Sequence, residues 1–506
     1  MRLAPKLALV VLAGLAHAFS MAEPWSGRAL WWLEPLALGL LAWLLVCEQG
    51  DGASVRRATL LGWIFSIAWL SGTYWWLYIS LHTYGGLHPV LTVLAILGLA
   101  AFLSTYYAAA CGFWTRCRPQ GPLARATLFS ALWMMAELMR AIWFTGFPWG
   151  AAGYAHVEGP LAGYAPWIGA YAMSAMAAFI AMLLVQVRRA AAAPRIVLAV
   201  VIALPVAFQL GGISFSAPAG RLAITLLQGN IPQNEKFENG TGIPMALRWY
   251  RDQLLAAGTA LVVAPETAIP LLPRQLPEGY LEALQKRFAT GEQAALLGIP
   301  LGGFKEGYSN SAIGLKPGAD KAYVYDKHHL VPFGEFIPPL FRWFTELMNI
   351  PLGDFNRGDI GQPSFAWKGQ RLAPNICYED LFGEEIGANF ADPTAAPTIL
   401  VNLSNMGWFG NSLAIDQHLL ISRMRSLEFE RPMVRATNTG ATVIIDHTGK
   451  VTRSLERHTR GVLVGEVEGR SGITPFAWWV SRFGVWPLWA IGLLLAVLAW
   501  RRRDAP

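Results

Sequence analysis

The sequence predicts a polytopic α-helical membrane bundle of about eight spans joined to an extramembrane α/β domain. Apolar stretches of membrane-crossing length recur through residues 1–214 and once more within 485–506. Basic residues cluster in every second connection between those stretches. Across residues 215–484 the pattern changes to short strands alternating with amphipathic helices. The composition agrees: of 506 residues 54% are hydrophobic and only 14% charged, with 22 tryptophans, whereas a soluble domain is about a quarter charged.

A hydrocarbon core takes about 20 residues of apolar helix. Segments near 6–21, 29–47, 59–81, 89–114, 126–145, 162–187 and 196–213 qualify, and an eighth lies near 485–500. The first is short and is followed by Ala16-His17-Ala18, so a cleaved leader is its alternative reading; the next segment, however, is another span rather than a secreted domain. Arg2 and Lys6, Arg56 and Arg57, Arg116 to Arg125, Arg188 to Arg195, and Arg501 to Arg503 alternate with connections nearly free of Lys and Arg, Arg28 excepted. Positive charge stays on the cytoplasmic side, so both termini are expected there and residues 214–484 outside. The net charge of +7 therefore encodes topology. It forms no basic patch, and no nucleic-acid partner is expected.

Within the fifth segment Glu137 and Arg140 stand three apart on one helix face and can pair. Charges at that depth are costly; the pair either reads a lipid headgroup, braces the turn that ends in Trp149, or simply orders the bundle. Tyr74, Trp75 and Trp76 are placed in an aromatic interface belt, as are Trp478 and Trp479.

In the outer domain, Leu222–Leu227, Ala260–Ala264, Ala294–Gly298, Ser311–Leu315, Thr398–Leu403 and Ala441–Ile445 read as strands. Met245–Ala257, Pro277–Ala289 and Ile415–Phe429 read as helices. A hydrophobic insertion, Phe336 to Pro351, is either a surface-seeking arm or an ordinary core helix. Four scattered cysteines, Cys47, Cys111, Cys117 and Cys377, form no disulfide framework and no CxxC metal pattern. His328 and His329 lack partners at ligand spacing, so they are not expected to hold a metal.

Three stretches of this domain carry reactive residues at strand ends: Val262-Val263-Ala264-Pro265-Glu266, Tyr325-Asp326-Lys327-His328-His329 through Glu335, and Asn375-Ile376-Cys377-Tyr378-Glu379-Asp380. Singly each is ordinary. A thiol, however, needs a base to become a nucleophile, which Glu266 can supply. A tetrahedral intermediate needs positive charge near its oxygen, which Lys327 can supply.

In this order the three stretches resemble the Glu-Lys-Cys pattern of the nitrilase superfamily, which implies an αββα sandwich. Flanking membrane spans narrow the resemblance to the apolipoprotein N-acyltransferase family. It is carried along nearly the whole chain by Thr145-Gly146-Phe147-Pro148-Trp149-Gly150, Leu227-Gln228-Gly229-Asn230-Ile231-Pro232-Gln233, the three stretches above, and Gln417-His418 through Arg435 to Gly440. The resemblance implies acyl transfer from a phospholipid donor, through a Cys377 thioester, to the N-terminal amine of a diacylated apolipoprotein, at the outer face of a bacterial inner membrane.

On that resemblance Glu266 is the proton acceptor, Lys327 the oxyanion stabiliser and Cys377 the nucleophile. Glu335, Glu379, Tyr378, Phe237, Trp408, Glu137, Arg140 and Trp149 are supporting or substrate-binding residues. The chain departs from the family pattern twice. Phe237 stands where many members carry tryptophan, which loses an indole N–H. Met406-Gly407 stands where members often read Asp-Ala, which removes a carboxylate. Two rivals share much of the pattern: a membrane-tethered nitrilase-type amidohydrolase, in which water resolves the acyl-enzyme, and a catalytically silent lipoprotein-binding scaffold.

Overall fold

A computed structural model describes residues 3–50, 54–338 and 355–503, apart from the side chain of Arg189. Its described residues fall into two compact units. One comprises those of Met1–Tyr78, His88–Ile213 and Phe483–Pro506, the other Ile79–Leu87 and Ser214–Arg482.

All eight expected apolar segments are helical in the first unit. They are α1 (Leu3–Met21), α2 (Leu33–Gly50), α3 (Val55–Thr73), α4 (Pro89–Cys117), α5 (Pro122–Ile142), α6 (Ala165–Gln186), α7 (Ala192–Leu210) and a last helix, Trp486–Arg502. Among the described residues five are long and apolar enough to cross a membrane, or six if Pro475–Phe483 and Trp486–Arg502 form one broken span. The others fall short for visible reasons: α3 opens on Arg56-Arg57, and α5 carries Arg125, Glu137 and Arg140. Rows of large apolar residues stay exposed on α4 (Val90, Leu94), α7 (Ile196, Val200) and the last helix (Leu494, Val497). Such contiguous apolar surface suits lipid rather than water. This is a membrane protein.

Close helix crossings use small residues, as membrane bundles do. A Cβ on Gly62 of α3 would lie 2.6 Å from the Cys111 sulfur of α4, and one on Gly14 of α1 would lie 2.3 Å from the Phe65 carbonyl of α3. The leading segment is thus packed as a bundle helix. The third segment was expected to continue to residue 81, but α3 ends at Thr73. The belt reading also needs correction: of Tyr74, Trp75 and Trp76 only Trp75 is exposed, because the Tyr74 ring packs on Phe147 and the Trp76 ring on Trp149.

The second unit holds two six-stranded sheets. In the first, Gly461–Gly472 (β12) lies beside Ser216–Gln228 (β1), then Leu261–Val263 (β2), Ala294–Gly303 (β3), Gly307–Leu315 (β4) and Tyr323–Asp326 (β5). In the second, Val451–Ser454 (β11), Val443–Ile445 (β10), Met433–Thr437 (β9), Ile399–Ser404 (β8), Gln370–Ile376 (β7) and Phe365–Trp367 (β6) follow in that order. The centre of each is parallel: β1-β2-β3 and β7-β8-β9. Parallel centres are covered on both faces, and the burial shows it. Leu261 and Val263 of β2 and Ala294 and Leu296 of β3 meet Ile376, Val401 and Val434 of the other sheet. Their neighbours Val262, Ala295 and Leu297 face Gly242–Ala256 (α8) and Tyr280–Ala289 (α9). The helix Leu413–Phe429 covers the far face of the second sheet, reaching Arg435 of β9 through His418 and Ser422.

Each expected strand and helix of this domain is present within a few residues. Strands β5, β6, β7, β9, β11 and β12 were not among those expected. The edge strand Gly461–Gly472 mixes Gly, Glu and Arg with Val and is partly exposed, so its alternation is diluted, and the edge strands β5, β6 and β11 are only three or four residues long. The insertion Phe336 to Pro351 lies almost wholly outside the described residues.

Candidate active site

Parallel strands gather their carboxyl ends on one side, and side chains just past those ends converge there. Glu266 follows β2, Lys327 follows β5, Cys377 follows β7 and Asn405 follows β8. Residues far apart in the chain therefore meet.

Lys327 Nζ lies 2.8 Å from Glu335 Oε1 and 3.4 Å from Glu266 Oε1. Asn310, on β4, spans the same two oxygens: its amide nitrogen donates to Glu266 Oε1 at 2.7 Å and to Glu335 Oε1 at 2.8 Å. Glu266 Oε2 accepts from the Asn405 backbone N–H at 2.9 Å, and Glu335 Oε2 from that of Val331 at 2.8 Å. Both carboxylates are thus held in place with the lysine between them. Burial works to lower the Lys327 pKa, but the adjacent Glu335 and Glu266 charges raise it above the ordinary lysine range, so the ammonium persists at neutral pH.

Cys377 begins a tight turn at the end of β7 with φ of +53°. That left-handed conformation costs a non-glycine residue about 1–3 kcal/mol and persists only where surroundings enforce it. The enforcement is visible. The Cys377 carbonyl accepts from His418 Nε2 at 3.1 Å and from Asn402 Nδ2 at 3.5 Å. Arg435 Nη2 donates to His418 Nδ1 at 3.0 Å, which leaves the ring proton on Nε2, facing the carbonyl. Burial, then the Arg435 charge, hold His418 well below the usual histidine range, so it stays neutral. Arg435 also pairs with Asp380 at 3.1 Å, and Ser422 bonds to both. Burial pushes the Cys377 thiol up to about 12; the Glu266 charge adds to this and Lys327 opposes it. The resting group is a thiol, and a thiol so placed can act as a nucleophile only with an adjacent base to take its proton.

Glu379 ties the lysine loop to the cysteine turn. It accepts from Ile376 N at 2.5 Å and the Tyr325 hydroxyl at 2.8 Å on one oxygen, and from His328 N at 2.7 Å and His329 N at 3.2 Å on the other. Both oxygens already face donors. Glu379→Gln, which turns one oxygen into another donor, is expected to destabilise the chain by about 1–3 kcal/mol and to misplace Lys327. Thermal unfolding of the two forms checks this.

Tyr378 is buried against His329 and Phe382, with ring centroids 5.6 and 5.3 Å apart. Trp408 lies edge-on to Tyr84 of the Ile79–Leu87 segment at 5.8 Å, and Phe237 is half-exposed. Met406, in place of the family's carboxylate, is fully buried and packs beside Gly440. His328 Nδ1 lies 2.7 Å from the Gly358 carbonyl and His329 Nδ1 2.8 Å from Glu385. Glu137, Arg140 and Trp149 belong to the other unit. Arg140 pairs with Glu137 at 2.8 Å and donates to the Phe147 and Trp149 carbonyls at 3.1 and 2.6 Å. Both charged side chains are fully buried, and this geometry braces the turn.

Sequence reasoning missed Asn310, Asn405, Lys236, Asp380, His418 and Arg435 as site residues. It also missed Gly298 on β3, where a Cβ would lie 2.5 Å from Pro265 O and 2.7 Å from Glu266 Cα. Gly298→Ala is therefore expected to push the Glu266 loop away, cutting catalysis about tenfold or more for about 1–3 kcal/mol of strain. Steady-state rates with a thermal melt separate the two effects.

A family model described as apolipoprotein N-acyltransferase N-terminal domain matches residues 13–183, and one described as carbon-nitrogen hydrolase matches residues 223–473. The second accounts for the nitrilase-like pair of sheets. The chain is 55% identical over 503 residues to an apolipoprotein N-acyltransferase of Verminephrobacter eiseniae, covering 96% of this chain and 94% of that one. It is 42% identical over 506 residues to one of Ralstonia nicotianae (98% and 93% covered) and 41% identical over 538 residues to one of Bordetella bronchiseptica (98% and 97%). Identity at this level along both units shows that the chain belongs to the apolipoprotein N-acyltransferase family and is an acyltransferase.

Proposed function

We propose that the chain carries out two-step acyl transfer from a phospholipid to the N-terminal α-amine of an S-diacylglyceryl-cysteine on an apolipoprotein. The observation that carries this reading is the strained Cys377 turn, in the electrostatic field of a glutamate and a lysine that are themselves fixed by Asn310. In the first step the Cys377 sulfur attacks the ester carbonyl, expected at sn-1. Its proton passes to Glu266, a carbon–sulfur bond forms, the carbon–oxygen bond breaks, and Glu266 returns the proton to the departing lysophospholipid oxygen. In the second step the amine attacks the thioester, a carbon–nitrogen bond forms and the carbon–sulfur bond breaks. Glu266 then carries the amine proton to the sulfur. Lys327 stabilises the oxyanion in both steps. A thioester conserves the energy of the ester, so the reaction needs no cofactor.

In this reading the chain crosses a bacterial inner membrane eight times, with both termini cytoplasmic and the sheet-bearing unit periplasmic. Glu335, Glu379 and Tyr378 shape the site, Phe237 and Trp408 offer aromatic surface to substrate, and Glu137, Arg140 and Trp149 order the bundle.

The test uses the full chain in detergent. With phospholipid alone, the Cys377 peptide should gain the mass of one acyl chain; adding a diacylated lipopeptide should discharge it and yield triacylated peptide. Free fatty acid without triacylated peptide would instead support the amidohydrolase reading.

A further inference from the structure

The loop Gly229 to Thr241 carries a second lysine into the catalytic cluster. It is pinned at its base: Asn230 N donates to the Asn438 carbonyl at 2.8 Å, Ile231 N donates to Asn438 Oδ1 at 3.0 Å, and Asn405 Nδ2 donates to Gln233 Oε1 at 2.9 Å. From this fixed loop Phe237 turns outward, half-exposed, while Lys236 turns inward and is 1% exposed. Lys236 Nζ donates to the main-chain carbonyl of Glu266 at 3.2 Å and lies 5.9 Å from the Phe237 ring centroid. Among the described residues it has no carboxylate ion pair. A buried cation held without a salt bridge is costly, and among the described residues its one hydrogen bond is to the peptide that carries the expected base. That peptide precedes Thr267, whose φ of +49° marks a strained turn.

The charge count around the sulfur makes the placement meaningful. Glu266 and Glu335 supply two negative charges, Glu379, which burial pushes up to about 7, adds a third as the pH rises past that value, and Lys327 supplies one positive charge. Behind Cys377, Asp380 is matched by Arg435 and His418 is neutral. Without a second cation the cluster would be net negative at the moment the thiol must give up its proton. We propose that Lys236 is a positioning residue for acyl transfer: it fixes the Glu266 peptide and supplies the second positive charge that lets the Cys377 sulfur carry negative charge beside two carboxylates. This rests on the roles given above to Glu266 and Cys377.

Burial pulls Lys236 down to about 8, against the pull of Glu266 and Cys377. It is therefore charged at neutral pH and loses its charge as the pH rises through about 8. Alkylation of Cys377 by iodoacetamide, followed on the Cys377 peptide by mass spectrometry from about pH 6.5 to about pH 9.5, reads this without any lipid substrate. In the wild type the rate should climb with pH and then flatten above about 8, as Lys236 discharges. Lys236→Met should be about tenfold slower near neutrality, the effect of about one pH unit on the thiol, and should lose the break. Lys236→Arg, which keeps the charge, should react at the wild-type rate near neutrality and climb without flattening. A folded Lys236→Met with the wild-type rate and the same break overturns the proposal, as does Lys236→Arg behaving like Lys236→Met. If the methionine variant fails to fold, Lys236→Gln decides by the same criterion. Loss of phospholipid acylation in the wild type would overturn the acyl-transfer reading and leave this titration intact.

Discussion

Cys377→Ala is expected to abolish the acyl-enzyme and to lower triacylated product by at least about 10⁴-fold, because the covalent route disappears with the sulfur. The loss should fall on chemistry. Cys377 is held by main-chain contacts, its carbonyl bonded by His418 and Asn402, and alanine adopts the +53° φ no worse than cysteine does. The variant should therefore melt close to the wild type and retain the shape of the site. Cys377→Ser is the sharper version. A hydroxyl is far harder to deprotonate than a thiol, and burial together with Glu266 already opposes ionisation at this position. Serine should leave at most a trace of product. Product formation by the serine variant at the wild-type rate would remove Cys377 from the chemistry.

Lys327→Met is expected to lower the acylation rate by about 10²–10³-fold, the usual effect of losing an oxyanion partner, and to destabilise the fold by about 3–5 kcal/mol. Both effects come from one arrangement. The ammonium separates Glu266 from Glu335, and the three side chains are at most 12% exposed, so water does little to screen them. Without the lysine, two buried carboxylates share only the Asn310 amide. Because Glu335 and Glu266 hold the Lys327 pKa above the ordinary lysine range against burial, its stabilisation is fully present at neutral pH. It is lost only as pH rises beyond that range. Lys327→Arg separates the roles: the retained charge should restore most of the stability, while the guanidinium fork, unlike a compact ammonium, cannot occupy the same point. An arginine variant with full activity would argue against a localised oxyanion role. Chemical denaturation with single-turnover acylation makes the distinction.

Much of the outer domain was legible because its strands obey a simple rule. Val262 and Ala295 alternate with Leu261, Val263, Ala294 and Leu296 between two apolar environments, so buried strands stand out as short continuous apolar runs. Glu266, Lys327 and Cys377 are each ordinary alone; their order along the chain, through its resemblance to the nitrilase pattern, singled them out. The edge strands were not legible, since β12 alternates valine with glycine and glutamate and is partly exposed. Helices α3 and α5 were read as apolar segments despite the charges they carry. Their arginines lower the hydropathy, although both pack among their neighbours as helices.

The supporting residues had no local signal. Asn310 reads as one more polar residue on a strand, Lys236 as a loop lysine beside an aromatic, and His418, Ser422 and Arg435 as parts of a helix and the strand after it. Their contacts exist only across distance: Asn310 reaches Glu266 and Glu335, and Lys236 reaches the Glu266 carbonyl. By itself the sequence determined a membrane bundle and an α/β domain, because periodicity and hydropathy are local properties of the chain. Tertiary structure alone decided which polar groups surround Glu266, Lys327 and Cys377 and how the cysteine is held, because sheet pairing brings together strand ends that lie scores of residues apart. A buried charge takes its meaning from the partners it meets there.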